Sequence, residues 1–157
     1  MRTTLVWLRK DLRFHDHLPL QCALEKSDQI LLVYCLPNSW FQDTAYGFPK
    51  INNIRLEFLL QSLGDFRKHA QERGGELIFR KGNPPDIIAE LAEHHRVDVV
   101  FAHREHAPEE KLEEDNLRER LKVPLRLCDG NSLLKETELP FSLVDLPQVF
   151  SKFRNNI

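Results

Sequence analysis

Five short apolar runs without polar alternation lie along the first 130 residues, and four of them are followed by a stretch whose apolar residues recur three or four apart. The runs are Leu5 to Leu8, "QILLVYCL" (Gln29 to Leu36), "ELIFRKG", "VDVVFAHRE" and "VPLRLCD". Unbroken apolar runs of this length describe strands covered on both faces, as in a parallel sheet. The first helix is predicted near Leu18 to Lys26. The second and longest runs from Ile54 through Phe58, Leu59, Leu63 and Phe66 to Arg73, where Gly74 and Gly75 form a C-terminal stop. "GNPPDIIAELAEHH" places Asn83 at a capping position, proline in the first turn and Asp86 near the positive helix end. "PEEKLEEDNLRERL" opens with Pro108 and two acids. Strict strand and helix alternation predicts an α/β fold: a doubly wound, Rossmann-like five-stranded parallel sheet in the order 3-2-1-4-5, with right-handed crossovers and helices on both faces.

Two segments do not obey this grammar. The connection Asn38 to Asn53 carries Trp40, Phe41, Tyr46 and Phe48 with Gly47 and Pro49, so it is expected to lie down on the domain. It could wall a ligand pocket or cover the sheet edge. Beyond Asp129 there is neither another strand and helix unit nor a self-sufficient core, although Leu133, Leu134, Leu139, Phe141, Val149, Phe150 and Phe153 need apolar partners. The division expected is a domain over residues 1–130 and the start of a linker over 131–157, in a chain cut at a domain boundary.

Where the first strand ends, five charged residues fall between Arg9 and Asp16. Ligands of open α/β sheets bind outside the carboxyl ends of the strands where strand order reverses. In a 3-2-1-4-5 sheet the first and fourth strands flank that point, so "RKDLRFHD" and "REHAPEE" should face each other across one crevice. This predicts a site for a planar, polar-edged ligand between Arg9 to Arg13 and Arg104 to Glu110. Each residue also has a plainer reading. Arg9, Asp11, Arg13 and Asp16 could pair among themselves to pin the loop. Glu109 and Glu110 suit the positive end of a helix without any ligand. "KGNPPD" reads as a cap, since its prolines remove amide donors.

Composition narrows the field. With 22 basic and 24 acidic residues the net charge is −2, so nothing draws the whole surface toward nucleic acid. No apolar run approaches the roughly 20 residues of a membrane helix, and no leader precedes the first strand; the default expectation is a cytoplasmic protein. Cys22, Cys35 and Cys128 are too few and too far apart for a disulfide framework or a CxxC pair, and are expected to be reduced and mostly buried. His15 and His17, His94 and His95, and His103 and His106 are close in sequence, yet none of these pairs implies a metal site, and none is expected. No G-x-G-x-x-G, Walker sequence or G-x-S-x-G elbow is present. A nucleotide-binding domain of the universal-stress or electron-transfer-flavoprotein type stays open, as does a structural scaffold that binds no small molecule.

"WLRKDLRFHDHLPL" closely resembles the opening motif of the DNA photolyase and cryptochrome family. The likeness continues through "FPKINNIRLEFLLQSLGDFRKHAQERGGELIFRKGNPPDIIAEL" and "REHAPEE" to "LPFSLVDLPQVFSKFRNNI", nearly the whole chain, and "YGFPK" and the tail look most like the DASH branch. The resemblance implies an N-terminal α/β domain able to hold a light-harvesting antenna, methenyltetrahydrofolate or a deazaflavin. It also implies a separate C-terminal helical domain, the main packing partner, that holds FAD and contacts DNA. By the same resemblance the whole protein would split cyclobutane pyrimidine dimers in blue light, with single-stranded DNA preferred, or sense light. The isolated domain would not be catalytic. Glu110 is the best match to the family's antenna carboxylate and Glu109 the next, with Arg9, Lys10, Asp11 and Arg104 around them. A carboxylate suits a pterin edge because it accepts two parallel hydrogen bonds.

Overall fold

The structure is a computed structural model and describes residues 1–130, 134 and 138–157. Strands β1 (Thr3–Leu8), β2 (Gln29–Pro37), β3 (Leu77–Gly82), β4 (Val99–His103) and β5 (Leu125–Cys128) form one sheet in the order β3-β2-β1-β4-β5. Every pairing is parallel, with Leu5 opposite Leu31 on one side and Val100 on the other. The predicted order holds. β1 is central and buried along its whole length, which is why its sequence lacks polar alternation.

Helices α1 (Leu18–Lys26) and α2 (Asn53–Glu72) cover one face, where Val6, Leu8, Tyr34, Phe66 and Phe101 meet. Helices α3 (Pro84–His94) and α4 (Pro108–Arg120) cover the other, over Leu5, Trp7, Val33, Ile88 and Leu117. The caps follow local chemistry. The Asn52 side chain accepts the Arg55 amide at 2.9 Å to start α2, and Gly74 takes the left-handed conformation (φ 76°) just beyond its end. Asn83 does occupy the N-cap position of α3, but its side chain caps nothing; its amide donates to Asp86 Oδ2 at 2.6 Å.

The aromatic connection splits in two. Trp40, in a 3-10 turn over Asn38–Phe41, and Ile51 lie against the domain, whereas Tyr46 and Phe48 face solvent. The expectation that the whole segment lies down is therefore met only at its ends. In the tail, Leu143, Val144, Leu146, Val149 and Phe150 are exposed around a short helix, α5 (Phe150–Asn156), where Phe150 stacks on Phe153 and Phe141 meets Phe153 edge to face. Leu133 lies outside the described residues. Among the described residues no helix is long and apolar enough to cross a membrane.

Candidate functional site: a crevice between the first and fourth strand turns

The turn after β1 meets the turn after β4, as the strand order requires. Arg9 carries most of the joint. Its guanidinium is 7% exposed and sits 4.5 Å above the Trp7 ring. It donates to Glu114 Oε1 at 2.6 Å and to the carbonyls of Glu110 and His103 at 3.4 and 3.5 Å, with Glu113 Oε2 at 3.6 Å. Glu114, only 4% exposed, also accepts the Glu105 amide at 3.0 Å. One buried cation thus ties the first turn to both the fourth-strand turn and α4.

Above this joint is a cavity of about 250 Å³ at the carboxyl ends of the strands, lined by Trp7, Tyr34, Cys35, Trp40 and Leu112 together with Arg9, Lys10, Lys50, Glu109, Glu110 and Glu113. Two lysine–carboxylate pairs rim it. Lys10 Nζ lies 2.6 Å from Glu110 Oε1, and Lys50 pairs with Glu109. The hydrogen bond from Lys10 holds the Glu110 carboxyl below its ordinary value against partial burial, so it is an anion at neutral pH. Burial instead pushes the Glu113 carboxyl up, opposed by Arg9. Burial also raises the Tyr34 hydroxyl and the Cys35 thiol to about 12, which keeps both protonated donors. The site therefore offers flat walls, carboxylates paired with lysines at its rim, and neutral donors.

Of the residues expected here, Arg9, Lys10, Glu109 and Glu110 line the cavity, while Asp11 and Arg104 do not. The Arg104 guanidinium turns away to Asp129 at 2.7 Å. Asp11 turns to the opposite face of the sheet, under α1. Its Oδ1 accepts the Arg9 amide at 2.7 Å, and its Oδ2 lies 2.5 Å from His103 Nδ1 and 2.9 Å from His17 Nε2. Asp11 pairs with the Arg9 backbone amide and with two histidines, and not with the arginine side chains of its own turn. Arg13 Nε donates to the carbonyl of Asp16, which takes a left-handed turn conformation.

The histidine pairs close in sequence do not explain this cluster. His15 and His106 are exposed, and His94 and His95 stay together at the end of α3. The fold joins His17 to His103, their rings edge to face at 4.7 Å. Sequence reasoning also missed Glu114 and Glu113. The usable signal was the spacing of Glu110, Glu113, Glu114 and Leu117, which places them on one face of α4.

A parallel sheet with its cavity where strand order reverses, rimmed by carboxylates and lysines, defines a doubly wound α/β domain. The chain belongs to the DNA photolyase family, whose profile matches residues 4–157. It is 35% identical over 159 residues to a cryptochrome DASH of Gloeobacter violaceus, covering 99% of this chain and 32% of that protein. It is 38% identical over 160 residues to the chloroplastic/mitochondrial cryptochrome DASH of Arabidopsis thaliana, covering 98% of this chain and 28% of that protein. A solved cryptochrome of Synechocystis sp. superposes with a TM-score of 0.94 at 37% identity, over 100% of this chain and 33% of that one. An archaeal photolyase of Sulfolobus tokodaii, solved with two FAD molecules, gives 0.82 at 16% identity over 99% and 34%, a likeness of fold alone. The chain spans about a third of the length of these relatives and corresponds to their N-terminal α/β domain.

Proposed function

We propose that this domain is the light-harvesting module of a cryptochrome-DASH-like flavoprotein and that the cavity between the first and fourth turns takes the pterin of a methenyltetrahydrofolate-type chromophore. The observation that carries the reading is Glu110: a carboxylate held ionised at the β4–α4 turn, on the wall of a cavity bounded by Trp7, Tyr34 and Trp40. An ionised carboxylate can accept both the ring amide and the exocyclic amine of a pterin, and aromatic walls favour a flat bicycle. Lys10, about half exposed, is free to swing outward and leave Glu110 to the ligand. Glu109, paired with Lys50, guards the mouth. Arg9 and Glu114 fix the floor. Asp11 and Arg104 serve the frame.

The bound chromophore would absorb light and pass its excitation on; the chain's own residues would only hold and orient it. In the whole protein, FAD and DNA would be engaged by the C-terminal domain, with this domain as its packing partner, in light-driven cleavage of cyclobutane pyrimidine dimers or in photosensing.

Titration of the chain with methenyltetrahydrofolate, followed by absorbance, tests the reading. A saturable red shift is expected, and Glu110→Gln should weaken binding roughly ten- to a hundredfold, the worth of a charge-assisted hydrogen-bonded pair. An unchanged spectrum at high folate excess would overturn it. Uptake of a deazaflavin in place of folate would reassign the chromophore, and uptake of neither leaves the scaffold reading.

A further inference from the structure

We propose that Cys22 and Cys128 form a redox-active dithiol at the edge of the sheet, which a small soluble disulfide of the glutathione class converts reversibly into an intramolecular disulfide. The two residues are far apart in sequence, and the fold brings them together. Cys22 stands in the middle of α1 and Cys128 closes β5, and α1 packs against β5. Both side chains rest on the same apolar cluster, and the two thiols share a hydrogen-bond contact.

Access separates this pair from the third cysteine. Cys22 and Cys128 are half-buried, whereas Cys35 is only 5% exposed. Among the described residues β5 is an edge strand that pairs with β4 alone, so the thiols sit where the sheet is least covered. Two charged groups bear on Cys128: Lys26, one turn after Cys22 on α1, favours its thiolate, and Asp129 opposes it. Burial first, and the neighbouring Cys22 next, push the Cys128 thiol up to about 12, so it is protonated at neutral pH. Cys128 is therefore a poor opening nucleophile, and Cys22 is the thiol that meets the oxidant.

The chemistry is thiol–disulfide exchange. The Cys22 thiolate attacks one sulfur of oxidised glutathione, and the departing glutathione thiolate takes up the proton that Cys22 has lost. Cys128 then gives its proton to the second glutathione as its sulfur attacks Cys22 Sγ and breaks the mixed disulfide. Two protein thiols have lost two electrons, and the oxidant has gained them as two thiols. Once Cys22 is in the mixed disulfide it carries no charge to oppose a Cys128 thiolate. Thiols already in contact have only to close to the S–S bond length of about 2.05 Å. The bond would staple α1 to the strand from which the chain leaves the sheet, where Asp129 is held by Arg104 at 2.7 Å and Gly130 packs against His103. It closes a loop of about a hundred residues, which restricts the unfolded chain and raises stability.

The test incubates the reduced, folded chain with excess oxidised glutathione, quenches with acid, and counts free thiols by alkylation in denaturant and mass. The count is expected to fall from the three of the sequence to one, with two hydrogens lost, no glutathione retained, and the Cys22 and Cys128 peptides linked. The oxidised chain should melt at a higher temperature, and dithiothreitol should restore both the thiols and the original melting temperature. Cys22→Ser and Cys128→Ser should each form no internal bond and show no rise in melting temperature. Three free thiols in a folded chain under excess oxidant would overturn the proposal. So would a mixed glutathione disulfide that never closes, or an internal bond that includes Cys35.

Discussion

Replacing Glu114 by Gln removes the main counter-charge of a guanidinium that has almost no access to water. Arg9 is 7% exposed and Glu114 4%, and the pair is closed by a 2.6 Å contact. Breaking a buried pair from one side costs about 3–5 kcal/mol because the remaining charge stays desolvated. Glu113, 3.6 Å from Arg9, keeps part of the compensation, so the lower end, about 3 kcal/mol, is expected. With a urea slope of about 2 kcal/mol/M, the unfolding midpoint should fall by about 1.5 M. Arg9→Met, which keeps an apolar stem over Trp7, should cost about as much by stranding Glu114. The double variant should cost little more than either single one, a coupling of about 2 kcal/mol or more. Burial pushes the Glu113 carboxyl up, and a raised folded value makes acidification favour the folded state through this group, so the deficit of Glu114→Gln should not widen as pH falls. Equilibrium urea unfolding of the four proteins at neutral and mildly acid pH measures all of this. Single-variant losses below about 1 kcal/mol that simply add would show that the pair behaves as a solvated surface contact, and the reasoning would be wrong.

Two further outcomes are expected. Burial pushes the Asp11 carboxyl up, but its contacts with His103 and His17 and the Arg9 amide outweigh burial and hold it well below its ordinary value; a depressed folded value stabilises above the unfolded pKa of about 3.9 and is lost as pH drops beneath it. Urea unfolding of Asp11→Asn should therefore depend less steeply on pH below about 4 than wild type, and parallel curves would contradict the shift. A methyl group at Gly130 would lie 2.7 Å from His103 Nε2 and 2.9 Å from Cδ2, so Gly130→Ala should lose about 1–3 kcal/mol in the same assay; wild-type stability would mean that the ring has room to move.

The fold was legible because burial on both faces is written directly into composition. Thr3–Leu8 and Val99–His103 have no polar alternation, and both prove buried throughout. Once strand order followed from alternation, the convergence of the first and fourth turns followed from topology, which is how Lys10 and Glu110 were placed together although 100 residues separate them. Side-chain direction was not legible in the same way. Asp11 and Arg9 are two residues apart in one charged turn, yet they serve opposite faces of the sheet. Nothing in "RKD" states which way each turns. The Asp11–His103 contact spans 92 residues, so closeness in sequence pointed to the wrong histidine pairs. Asn83 shows the same limit on a small scale: the right residue stands at the helix start, but its side chain is oriented by donating to Asp86 and its oxygen caps no amide.

Helix α4 explains why the crevice keeps its shape. Its only fully buried residues are Glu114 and Leu117, too little apolar surface to hold a helix down by the hydrophobic effect alone. Arg9 supplies the missing attachment, and because a buried ion pair tolerates few geometries, the attachment also fixes where Glu110, one turn earlier, presents its carboxylate. On the other side of β1, Asp11 anchors the same turn to α1 and to the end of β4. The two anchors meet at one hydrogen bond, from the Arg9 amide to Asp11 Oδ1. None of Asp11, His17 and His103 lines the crevice, although Asp11 shares its turn with Arg9. The chromophore reading therefore rests on Glu110 and the crevice lining, and not on the atoms that hold the turn beneath α1.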